Sequence, residues 1–137
     1  MSNTQLINFK DIINYFPCGT LQLALDDELT IISANDAFYK LIDHNSSIAL
    51  PKSVFKMVYS ADIIYFTQQV AEHKLNKDKQ LILFFRVLQR SGSLKWIMIH
   101  GNKIEEMCQI QGKVLPVYFC VATDVTAHMT EYMKMAQ

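Results

Sequence analysis

The chain has 137 residues, half of them apolar and 19% charged, with 13 Lys plus Arg against 13 Asp plus Glu. This is the size and make-up of one folded domain, long enough to bury roughly two-thirds of its unfolded surface, and it excludes a disordered chain. Balanced charge excludes the basic excess of a dedicated nucleic-acid binder, and no apolar run approaches the ~18 residues that would suggest a membrane span.

The opening, MSNTQLINFKD, lacks the apolar core of a secretory signal. Cys18, Cys108 and Cys120 are odd in number and widely spaced, which gives neither a disulfide framework nor metal-ligand spacing and points to a reducing cytoplasm. In chain order, Leu6, Phe9, Ile13 and Phe16 make one stripe of an amphipathic helix over 4–16, opened by a Ser2–Gln5 capping box and ended by Pro17 and Gly19. Residues 21–33 alternate as a hairpin, with Asp26-Asp27-Glu28 as its turn. Three acidic residues in a turn are more often solvated than a cation site. Ser33 and Asp36 have cap spacing for a short helix ending near Ile42. Residues 43–58, broken by Asn45-Ser46-Ser47 and Pro51, hold one or two helical turns. Ser60 and Asp62 open a longer helix over 60–75, with Ile63, Phe66 and Val70 inward.

The period then changes to two. Residues 80–90, QLILFFRVLQR, are a strand apolar on both faces, so both faces call for cover. Ser91-Gly92 turns into a return strand over 94–104, and Gly112 precedes a third strand over 114–123, with Pro116 near its start where a missing donor is tolerated. Asp124 can cap a final helix, in which Val125, Met129, Tyr132 and Ala136 form a short heptad seam. Helix, hairpin, helices, three antiparallel strands and exit helix make an α+β fold with helices segregated on one sheet face.

Four stretches in this order resemble the PAS domain family. LDDELTIISANDAF at 25–38 is similar to its first hairpin and Asn-opened helix, with Asn35 as the cap. Ser60-Ala61-Asp62 is similar to the start of its long helix, RVLQRSGSLKW at 86–96 to its basic, Ser-Gly and aromatic hairpin, and Asp124-Val125-Thr126 to its closing D-[IV]-T triad. The chain departs from the pattern at Asp43-His44, where the family often has Gly-Tyr, and in the length of the segment from Gly101 to Lys113. The resemblance implies a five-stranded antiparallel sheet in order 2-1-5-4-3. It also implies an N-terminal cap helix over 1–17, a core over 18–124, and over 125–137 the start of a signalling helix leading to an output domain.

PAS domains hold ligands between sheet and helices. Comparison with the flavin-binding members, together with strand alternation, places Phe85, Val87, Ile97, Ile99, Tyr118, Cys120 and Ala122 inward as pocket candidates. Flavin binders carry amides where Val87, Ile97 and Ala122 stand and an Asn-Cys-Arg motif that is absent, so a flavin would lack polar partners. Haem binders ligate through a His on the long helix. His73 lies near that helix's end, where solvent and the helix dipole are the ordinary partners. His44, His100 and His128 are scattered. The expectation is therefore no cofactor and no metal, with either a packed core or a pocket for a small apolar ligand. Cys18 has no base or positive neighbour to activate it, and no catalytic triad, HExxH or phosphate loop is present.

The resulting reading is a cytoplasmic, non-enzymatic sensory or relay domain, homodimeric through its N-terminal stripe and the outer face with Phe84 and Trp96, without nucleic-acid or membrane contact. Asp124 and Thr126 would relay the change to a histidine kinase or diguanylate cyclase. The ending Met-Lys-Met-Ala-Gln is similar to the segment before a cyclase of the GGDEF kind. The rivals are a ketosteroid-isomerase-like enzyme, which needs an inward carboxylate absent from the strands, and a ligand-free dimerisation module.

Overall fold

The computed structural model describes residues 18–43, 52–76 and 80–135. The expected helix over 4–16, His44 and Ala136 lie outside them. Strands β1 (Gly19–Ala24), β2 (Ile31–Ala34), β3 (Gln80–Leu88), β4 (Leu94–Ile110) and β5 (Lys113–Asp124) form one sheet, every neighbouring pair antiparallel, in the order β2-β1-β5-β4-β3. Helices α1 (Asp36–Leu41) and α2 (Ile63–Asn76) lie in the crossover from β2 to β3, with two 3-10 turns at Val54–Lys56 and Ser60–Asp62. Helix α3 (Thr126–Met135) leaves the end of β5. The strand order and the placement of the elements agree with the sequence reading.

Alternation explains which face is covered. Leu21, Leu23, Leu81, Leu83, Phe85, Val87, Ile97, Ile99, Tyr118, Cys120 and Ala122 are all buried, in one cluster with Phe38, Val54, Phe66 and Val70 from the crossover. Phe66 sits between Phe55 and Phe85, edge-to-face with both at centroid distances of 4.9 and 5.2 Å.

Several boundaries move for physical reasons. The strand expected from Leu29 begins at Ile31, because Asp26 builds a turn. Its carboxylate accepts from the Thr30 N–H (2.8 Å) and hydroxyl (2.6 Å), and Leu29 takes φ +51°. A leucine there is strained, and full burial of its side chain opposes that cost. Ser33 does not cap the short helix; its hydroxyl donates to Gln22 Oε1, and Asn35 is the cap. Where the family often has glycine, Asp43 adopts φ +52° at the end of α1, a conformation Asp tolerates, and its carboxylate accepts from the backbone and guanidinium of Arg90. The return strand runs to Ile110 rather than 104. Gln111 and Gly112 both have positive φ (51° and 78°), forming a two-residue turn that keeps the strands paired to Ile110 opposite Lys113.

Asn35 ties α1 to the sheet. Its buried Oδ1 accepts from Thr20 N–H (2.9 Å) and Phe38 N–H (3.0 Å), and Nδ2 donates to Cys18 O (3.0 Å). Asn35→Ala should lower the unfolding free energy by about 2–4 kcal/mol, through loss of the cap and of a buried donor's partner. Asn35→Asp, which keeps both accepted bonds, should cost less. Urea titration of the two variants checks the ranking.

Candidate functional site

Two regions matter: the inward sheet face and the root of α3. On the face, Phe85, Val87, Ile97, Ile99, Tyr118, Cys120 and Ala122 come together as the alternation predicts, each no more than 5% exposed. Burial pushes the Cys120 thiol up to about 12, which makes it a packing group rather than a nucleophile. Gly101 is required beneath it: a Cβ there would lie 2.4 Å from Cys120 Sγ and 2.3 Å from Phe119 O. No inward strand position carries a carboxylate.

A flavin does not fit these residues. Val87, Ile97 and Ala122 offer no hydrogen bond to its ring edge, and Asn35, the buried amide, is committed to backbone. Haem does not fit His73 either. Its Nε2 lies 2.9 Å from Ile82 O at the sheet edge, away from the core. His100 and His128 are exposed. Among the described residues no three His, Cys, Asp or Glu side chains are placed to hold a metal, and no helix is long and apolar enough to cross a membrane. In the acidic turn, Asp26 is engaged by Thr30, Asp27 pairs with Lys74, and Glu28 O accepts from Ser53.

At the root of α3, β5 ends at Asp124 opposite Ile97. The next residue of β4, Trp96, then has an N–H and a C=O with no strand to meet them. Val125 N–H donates to Trp96 O (2.9 Å), and Trp96 N–H donates to Thr126 Oγ1 (2.9 Å). Asp124 Oδ1 accepts from the Thr126 N–H (2.9 Å) and hydroxyl (2.6 Å). Burial raises the Asp124 carboxyl, but the Thr126 hydrogen bonds and the Lys95 charge outweigh it and hold it below the usual range. Asp124 and Thr126 are thus brought together as the triad implied.

The sequence reading missed three further participants. Lys95 donates to Leu41 O at the end of α1 (3.0 Å) and lies 3.9 Å from Asp124. Arg86, cross-strand from Trp96, packs between the Tyr59 and Trp96 rings at 5.2 and 5.3 Å, and grips Asp62 through Nε and Nη2. Asp62, expected to open the long helix, turns to this pair instead and leaves 60–62 as a 3-10 turn. The basic-to-aromatic spacing in RVLQRSGSLKW was the available signal, but pairing 86 with 96 takes a three-residue turn, 90–92, closed by Gln89 N–H to Ser93 O, since a two-residue Ser91-Gly92 turn would pair 86 with 97. Trp96 is thus stacked against Arg86 and remains half-buried. A depression of about 460 Å³ opens beside the root, lined by Cys18, Lys40, Leu41 and Asp124 among others.

The hydrogen-bonded Arg86 holds the Asp62 carboxyl below the usual carboxylate range, burial acting in the other direction. A carboxyl depressed in the folded state stabilises above its unfolded pKa of about 4 and loses that contribution as pH falls below it. Asp62→Asn should lower the neutral-pH urea midpoint and make the decline below about pH 4 shallower than in the native chain. Urea titrations across pH check this; parallel declines would show that the pair contributes nothing to acid sensitivity.

No protein-family model and no curated protein matches the chain. Solved structures do. The chain is similar to an RNA-binding light-oxygen-voltage receptor, with a TM-score of 0.71 and 14% identity over 100% of this chain and 39% of that one. It is similar to a sensory box histidine kinase/response regulator from Burkholderia thailandensis (TM-score 0.62, 16% identity, 93% of this chain and 92% of that one). It is also similar to the PAS domain of a protein from Colwellia psychrerythraea (TM-score 0.61, 17% identity, 86% and 94%). The chain spans well under half the length of the light-oxygen-voltage receptor. With the strand order, the Asn35 cap and the Asp124–Thr126 junction, these likenesses identify the fold of residues 18–135 as the PAS fold.

Proposed function

We propose that this chain is a sensory or relay domain, not an enzyme, which passes a change at its sheet through α3 to a C-terminal output module of the histidine kinase or diguanylate cyclase kind. One observation carries the reading: the root of α3 is hydrogen-bonded to Trp96 of β4 and to the last residue of β5. A shift of either strand therefore moves the helix. Support comes from the likeness to a sensory box histidine kinase/response regulator. The apolar inward face suits a small apolar ligand and the outer face a second copy, in the cytoplasm, without membrane or nucleic-acid contact.

Asp124→Ala in a protein carrying the output module should cost about 1 kcal/mol of helix anchoring. It should uncouple output from stimulus while the melting temperature changes little. Unchanged output with collapsed stability would make Asp124 a structural residue and sink the relay. Native mass spectrometry and visible absorption test the input side. The purified protein should be colourless, and it should carry either a small non-covalent adduct or a second copy. A flavin or haem band, or a bare monomer at high micromolar concentration, would overturn that part.

A further inference from the structure

β3 is an edge strand, and its outward backbone groups have no neighbouring strand. Yet the amides and carbonyls of Phe84 and Arg86 are all taken, and so is the carbonyl of Ile82. Phe84 N–H donates to Gln69 Oε1 (2.9 Å) and Phe84 O accepts from Gln69 Nε2 (2.8 Å), so one side-chain amide pairs both ways as a strand would. Ile82 O accepts from His73 Nε2 (2.9 Å) in the tautomer that carries the proton there, and the Ile82 N–H lies 3.4 Å from the same nitrogen. Arg86 N–H donates to Asp62 Oδ2 (2.9 Å) and Arg86 O accepts from Tyr59 N–H (2.7 Å).

The match is geometric. Four residues of helix advance about 6 Å and two of strand about 6.7 Å. Side chains at i and i+4 of a helix running along a strand therefore reach alternate strand residues. Gln69 meets Phe84 and His73 meets Ile82 in this way, while Phe66 and Val70 point into the core. A helix docked by its apolar stripe alone needs no such groups.

We propose that Asp62, Gln69 and His73 form an edge seal that keeps β3 from pairing with the β3 of a second copy of this chain. The strand itself names the occupant. QLILFFRVL has one charge, no proline or glycine and apolar residues on both faces, which is the composition of a self-pairing segment, and a second copy supplies the same strand. Self-association of the intact chain then uses another surface.

Gln69→Ala with His73→Ala opens the seal, and Gln68→Ala, exposed on the same helix, is the control. Amide exchange at Phe84 should quicken about five- to tenfold in the double variant, the factor that goes with one net hydrogen bond, and stay unchanged in the control. The double variant should also associate with concentration in sedimentation and bind thioflavin. Adding Ile82→Lys, a charge on the exposed face of β3, should restore the native state of association. Association no greater than native, or association that Ile82→Lys does not reverse, overturns the proposal. Should the double variant lose its circular dichroism signal, Gln69→Glu, which keeps the size but loses the donor to Phe84 O, carries the same comparison. In the native chain, a Phe84 amide exchanging at the free-peptide rate overturns the seal without any variant.

Discussion

A backbone amide or carbonyl buried without a partner costs about as much as a lost hydrogen bond, and an open sheet creates such groups wherever a strand ends or lacks a neighbour. In this fold the sheet meets that constraint at three places, each with a different segment. Beyond β2, Ile31 N–H donates to Lys52 O and Val54 N–H to Leu29 O, so the chain entering the first 3-10 turn acts as a short extra strand. Beyond β3, the side chains of α2 and the turn before it take the outward groups. Where β5 stops short of Trp96, the root of α3 supplies the missing donor and acceptor.

The third place joins the sheet to the exit helix. β5 is paired on both sides, with β1 and β4, and its last residue is also the acceptor that organises the start of α3. Val125, just before the helix, and Thr126, its first residue, complete the hydrogen bonding of Trp96, so the root of α3 is fixed to β4 by directed bonds as well as by packing. Arg86 and Lys95 extend this junction sideways. Arg86 joins Trp96 to Tyr59 and Asp62 ahead of α2, and Lys95 joins the end of α1 to Asp124. Both helices of the crossover are thereby tied to the residues that hold the exit helix.

The inward face is different in kind. It is wholly apolar apart from Tyr118 and Cys120, and edge-to-face rings fill the space between α2 and β3. Cofactor chemistry needs polar groups aimed inward. Here the buried amide, Asn35, is turned to backbone and the histidine of α2 to the sheet edge. Close packing makes such a face sensitive to single methylene groups.

By itself the sequence determined the elements. Period-two alternation in 80–88 and 94–100 separates two faces that are both largely apolar, the family resemblance singled out the inward set, and the three-residue turn over 90–92 sets the register that pairs Arg86 with Trp96. The Asn35–Phe38 cap and the Asp124–Thr126 pair were legible because they join residues three and two apart, whereas the bonds from Asn35 to Thr20 and Cys18 and from Thr126 to Trp96 were not. Tertiary structure alone decided what depends on partners far along the chain. Asp62 faces Arg86 across 24 residues instead of capping its own helix, and Gln69 meets Phe84 across 15. Leu29 accepts a strained backbone because the core on the far side of its turn takes its side chain, and β4 runs six residues past its expected end because Gln111 joins Gly112 at positive φ. Local propensity ranks conformations one residue at a time. Which polar groups must find one another is settled only when the sheet closes and each unpaired backbone group requires a partner.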